Sequence, residues 1–131
     1  MEPHKAISSE QGLNILNQVR SMCAVYPEVE EAIDAFGHTS FRVKDKPFVM
    51  LAEWDGTVTM SIKTATTTQE FLIQKDPRLY SKTRYIGQHG WVSVELLENA
   101  SWQELEELVL EAYSRTAPKR LIQTLRNSGR G

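Results

Sequence analysis

The sequence predicts one α+β domain, a mostly antiparallel sheet with N- and C-terminal helices packed on it. Three observations lead there. Apolar residues recur every three to four positions at both ends of the chain and every second position in the middle. Asp55-Gly56 stands between two alternating runs and is the strongest two-residue hairpin signal present. A chain of 131 residues with 40% hydrophobic and 24% charged content also lies within the size and composition of one compact domain. No repeat, low-complexity segment or linker divides it, so residues 1–131 are read as a single unit with its core over about 8–126 and frayed termini.

The first element expected is a helix over about 8–25. Ser8 and Gln11 have capping-box spacing, and Leu13, Leu16, Val19 or Arg20, and Cys23 form its stripe. A thiol on that stripe packs as a small hydrophobe. A second, short helix is expected next: Pro27 suits the first helical position, Val29, Ala32, Ile33 and Phe36 follow i, i+3, i+4, i+7, and Gly37 can close it. Glu28, Glu30 and Glu31 would then fall in its first turn, where the helix dipole favours negative charge.

After Gly37 the period changes to two. Phe41 and Val43 alternate with Arg42 and Lys44, Asp45 and Lys46 read as a tight turn, and Pro47 opens a returning strand that runs from Phe48 to Trp54. Thr57 to Lys63 supplies the third strand of a meander. Thr67 and Glu70 have capping-box spacing for a helix through about Lys75 with Phe71, Leu72 and Ile73 inward, which Asp76-Pro77 stops. Arg78 to Arg84 reads as an irregular basic connector. It leads to Tyr85-Ile86-Gly87-Gln88-His89-Gly90-Trp91-Val92-Ser93-Val94, a glycine-bounded turn feeding a strand. Ser101 and Glu104 cap the last long helix, whose apolar face is Trp102, Leu105, Leu108, Val109, Ala112 and Tyr113, with Glu104, Glu107 and Glu111 on an outer face. Pro118 kinks that helix or opens another, in which Leu121, Ile122 and Leu125 pack.

The net charge of −2 is unevenly spread: residues 1–41 carry −4, 42–90 carry +3, 91–114 carry −6 and 115–131 carry +5. The lone cysteine, Cys23, forms no intramolecular bridge, and Met-Glu-Pro-His-Lys lacks the basic-then-apolar order of a signal peptide. A cytoplasmic location is the expectation. Apolar runs are far shorter than the roughly 20 residues that cross a bilayer, so no membrane partner is expected.

Taken as a set, Gly37-His38-Thr39-Ser40-Phe41-Arg42-Val43, Lys46 and Phe48, Leu79-Tyr80, Tyr85 to Val92, Tyr113 and Lys119-Arg120 resemble the YjbR/MmcQ family over roughly residues 10–120. The resemblance implies a fold similar to secretion-chaperone-like domains and a DNA-binding label that rests on a double-wing arrangement of hairpin and loop. Two positions depart from the family pattern: the wing turn reads Lys44-Asp45 in place of a glycine pair, and Gln88 stands where a basic residue is expected.

Lysine and arginine that neutralise phosphates are what nucleic-acid binding requires. The candidates are Arg42, Lys44 and Lys46 on the hairpin, Lys63, Lys82 and Arg84 beyond it, and Gln88 and His89 as hydrogen-bonding groups. The bland alternative is an edge hairpin guarded by lysines. A protein or peptide interaction module is the second functional reading, with Trp54 beside the Asp55-Gly56 turn as its exposed anchor and Trp91 and Trp102 in the core. Catalysis is not expected. His4, His38, His89, Cys23 and Ser93 carry none of the spacings of a hydrolase elbow, a zinc site or a nucleotide loop. Neither metal nor cofactor is expected, and the expected state is a monomer.

Overall fold

The computed structural model describes residues 6–95 and 97–128. In chain order the elements are α1 Glu10–Ala24, β1 Val29–Ile33, β2 Thr39–Val43, β3 Lys46–Trp54, β4 Thr57–Lys63, α2 Thr66–Lys75, β5 Tyr80–Lys82, β6 Trp91–Val94, α3 Trp102–Thr116 and α4 Lys119–Ser128, with short 3-10 turns at Gly87–His89 and Leu97–Asn99. The strands form one antiparallel sheet in the order β1-β2-β3-β4-β6-β5. The expected α+β architecture is therefore the observed one. Expectations for His4 and for the outermost termini fall outside the described residues.

The helix expected after Pro27 is a strand. Residues 29–33 pair in register with β2, from Val29↔Val43 to Ile33↔Thr39. The error has a physical origin: β1 lies at the sheet edge with four of its five side chains exposed, so no buried face imposes a two-residue period, and the apolar spacing mimics a helix. Its acids are held by ion pairs and not by a helix dipole, with Glu31 on Arg20 at 2.7 Å and Glu28 on Lys44 at 2.7 Å and on Arg120 at 3.1 Å. The connector also contains a short strand, β5, which pairs with β6 as Tyr80↔Val94.

Alternation along the central strands divides the sheet into two faces. Val49, Leu51, Val58, Met60, Ile62, Val92 and Val94 are buried on the helix side, where α3 crosses β3 and β4. Tyr113 joins these layers: its ring stacks on Tyr26 at 4.8 Å, meets Phe48 edge-on at 5.6 Å, and its hydroxyl donates to Pro27 O at 2.8 Å. Full burial of one such aromatic stabilises by about 1.5–3 kcal/mol. Cys23 belongs to this core, and burial followed by the nearby Glu31 charge pushes its thiol up to about 12.

Helix caps come partly from distant elements. Ser9, one residue after the expected cap, accepts from Gly12 N, and the Glu53 carboxylate of β3 accepts from Ser8 N, Ser9 N and the Ser9 hydroxyl. The start of α2 has no side-chain cap of its own; Glu111 of α3 takes Ala65 N at 2.7 Å and the Thr68 hydroxyl at 3.1 Å. Two acids read as an outer face are thus structural, since Glu104 likewise binds Lys75 at 2.5 Å and the Tyr80 hydroxyl. On α2, Leu72 packs inward as expected while Phe71 is exposed.

Candidate nucleic-acid interface

The hairpin tip is Lys44-Asp45, one position before the expected turn, and both residues have positive φ, 51° and 65°. That is the two-residue hairpin geometry usually given to Asn-Gly or Gly-Gly. Its cations are largely occupied. Arg42 donates to Ser40 Oγ at 3.2 Å and Asp45 O at 3.1 Å, and Lys44 pairs with Glu28, whose carboxyl the lysine and Arg120 hold down at about 2. Arg42 and Lys44 therefore fasten the hairpin to itself and to the start of β1.

Lys46, Lys63, Lys82 and Arg84 are arranged differently. The pairs Val43↔Lys46, Val49↔Ile62, Lys63↔Trp91 and Lys82↔Val92 carry the start of β3, the end of β4, the start of β6 and the end of β5 to the same end of the sheet. Lys82 is level with Val49, three residues along β3 from Lys46, so with strands about 4.8 Å apart and about 3.3 Å per residue Lys46 and Lys82 root about 17 Å from each other. Among the described residues none of these four cations has a carboxylate within ion-pair distance.

The Gly-Gln-His-Gly corner borders the same end. Gly90 has φ 94°, and its carbonyl accepts from Thr64 N at 3.2 Å and Thr64 Oγ1 at 2.7 Å. Buried Gln69 of α2 locks the corner from behind, its amide donating to Gly87 O and Trp91 O, both at 2.7 Å. Gln88 and His89 are left exposed on the outer surface. No sequence signal marked Gln69, because a polar residue in a helix normally faces water.

The sheet face away from the helices is the other part of the site. One cross-strand row, Ala32, Ser40, Met50, Ser61, Ser93 and Ser81, runs over all six strands. A groove of about 520 Å³ opens on it, floored by Met50, Ala52, Thr59, Ser61 and Ser93 and walled by His38 and the Lys82–Ile86 segment. Sequence reading passed over these hydroxyls, although they occupy the alternate positions of runs already assigned as strands.

The histidine and cysteine candidates for catalysis are not brought together. His38 enters β2 at the end of the sheet opposite His89, 3.4 Å from Asp34 and away from any helix end, and Cys23 lies in the core. No cluster of three or more His, Cys, Asp or Glu suited to a metal occurs among the described residues, and no described helix is long and apolar enough to cross a membrane. Trp54 is 73% exposed, Trp91 is buried and Trp102 packs against the core.

A six-stranded antiparallel sheet with helices on one face, and on the other a groove lined by apolar side chains and hydroxyls, defines an α+β domain. The chain belongs to the YjbR family, whose model matches residues 24–115. A crystal structure of a Deinococcus radiodurans protein with the domain DUF419 is similar in fold, with TM-score 0.68, 22% identity and 75% of each chain covered. No curated protein matches.

Proposed function

We propose that this YjbR-family protein binds DNA, as a monomer and without a catalytic step, through the strand-end cations Lys46, Lys63, Lys82 and Arg84 with Gln88 and His89 beside them. One observation carries the reading: these four cations share one end of the sheet and lack carboxylate partners among the described residues, whereas Arg42 and Lys44 are already engaged. Their span of about 17 Å is the axial length of about five phosphates on one strand. The hairpin contributes Lys46 at its base, with its turn held as a rigid shoulder.

Fluorescence anisotropy with a labelled oligonucleotide over a salt series tests this. Four neutralised phosphates give a slope of log K against log salt of about −3 to −4. Lys63→Ala with Arg84→Ala should lower its magnitude by about two, and Lys44→Ala should leave it alone. Absence of binding at low salt, or a double variant that binds as the parent does, refutes the reading.

A protein or peptide interaction module is the second reading, favoured by β1, which lies at the sheet edge with Ile33 59% exposed. An added strand would pair along its outer edge. On that reading Ile33→Lys abolishes capture of a strand-forming partner and leaves the salt-dependent DNA signal intact.

A further inference from the structure

The geometry points to the sheet-face groove as a seat for an unpaired nucleobase, which makes single-stranded nucleic acid the preferred ligand; this rests on the strand-end reading above. The first support is Tyr85. It is 89% exposed at φ 67°, inside a turn closed by Ile86 N donating to Arg84 O at 2.7 Å. An i→i+2 bond around a residue of positive φ is the rarer, strained hand of the γ-turn, which a non-glycine residue adopts at a cost. The arrangement sets an aromatic ring on the groove wall next to a guanidinium, the pairing on which bases stack without regard to sequence.

The second support is the chemistry of the floor. Ser61 Oγ lies 3.2 Å from Ser93 Oγ, which lies 2.9 Å from Thr83 Oγ1, so three hydroxyls share one chain and each retains capacity to donate or accept. Met50 supplies an apolar contact beneath them, and Glu95, which accepts from Ser81 at 2.6 Å, is the one carboxylate among the described residues that line the groove. Hydroxyls beside an apolar floor suit the face and edge of a planar heterocycle. Lys82 and Arg84 stand where the attached phosphate would leave the groove. The volume of about 520 Å³ falls in the range of about 300–1,000 Å³ typical of small-ligand pockets. A concave site of this kind cannot be reached by a base stacked inside a duplex, so duplex DNA is left with the cation strip alone.

The test compares a labelled mixed-sequence oligonucleotide, single-stranded and as its duplex, in anisotropy at low salt. The single strand should bind roughly ten-fold or more tightly. Tyr85→Ala should weaken single-strand binding by about ten-fold, Tyr85→Phe should retain it, and neither should alter duplex binding. Because Tyr85 is exposed, these variants fold as the parent does. Equal affinity for both forms with Tyr85→Ala silent overturns the base seat and leaves the cation strip standing. Absence of binding to either form overturns both.

Discussion

Gly90 is where the candidate site is most tightly specified, and replacing it with alanine separates two contributions. An added Cβ would lie 2.0 Å from Thr64 O, a backbone atom, and φ is 94°. Gly56 in the β3–β4 turn also has positive φ, 79°, but a Cβ there meets nothing within 4 Å. Gly56→Ala should therefore cost only the conformational penalty, about 1–2 kcal/mol. Gly90→Ala adds overpacking against backbone, about 1–3 kcal/mol, and strain on the two bonds from Thr64 to Gly90 O, for a total of about 3–5 kcal/mol. Urea unfolding followed by tryptophan fluorescence measures both, with Trp91 adjacent to the altered residue. At an m-value of about 2 kcal/mol/M the midpoint falls by about 2 M for Gly90→Ala and by less than about 1 M for Gly56→Ala. Equal losses for the two variants would refute the argument that the Thr64 contact, and not backbone handedness, demands glycine in the corner.

Gln69→Leu leaves Gly87 O and Trp91 O without their buried donor, which should cost about 2–4 kcal/mol and speed amide exchange over residues 87–91. Asp45→Gly relieves a positive φ of 65° at the hairpin tip and gives up only a 3.7 Å contact to Arg42, so the unfolding midpoint should rise by the equivalent of about 0.5–1 kcal/mol. Glu28 is held at about 2 by Lys44 and Arg120, below its unfolded value, so its contribution is complete above about pH 4.5 and is lost as pH falls toward 2. The stability difference between the parent and Glu28→Gln should therefore shrink over that window; a difference constant from pH 7 to pH 2 would contradict it.

Elements with one buried face were legible. β4 and the face of α3 carry a period that burial enforces, whereas β2 and the strand from Trp91, buried on both faces, were legible from their β-branched and aromatic residues. β1 was not, because its exposed side chains leave period free to mislead, and β5 was not, because three residues are too few for any period. The cations of the site were all visible as residue types. What the sequence withheld was their allocation: Glu28 lies 16 residues from Lys44 in the chain, and only the β1–β2 pairing brings them together. The groove was hidden for a related reason, since Ser61 and Ser93 are 32 residues apart and meet through the β4–β6 register.

That allocation reconciles a net charge of −2 with a group of cations that lack carboxylate partners among the described residues. Arg20, Arg42 and Lys75 are each matched to a carboxylate, and Lys44 and Arg120 share Glu28, so four of these five charges are offset within a few ångströms. Screening shortens the reach of distant acids to about 8–10 Å at ordinary salt, so on the proposed reading a phosphate would sense the local surplus and not the sum over the chain. The surplus lies where β3 begins and β4 and β5 end, and the antiparallel order that brings those points together also turns Ser61, Ser93 and Tyr85 toward one groove. Charge and hydroxyls are thus products of one register. A slip of one residue in β6 would send Ser93 to the helix side and Val92 and Val94 to the groove, removing the hydroxyl that links Ser61 to Thr83. The Gly90–Thr64 and Gln69–Trp91 contacts that pin this strand therefore maintain the groove and the strand-end cations of the proposed interface as well as the fold.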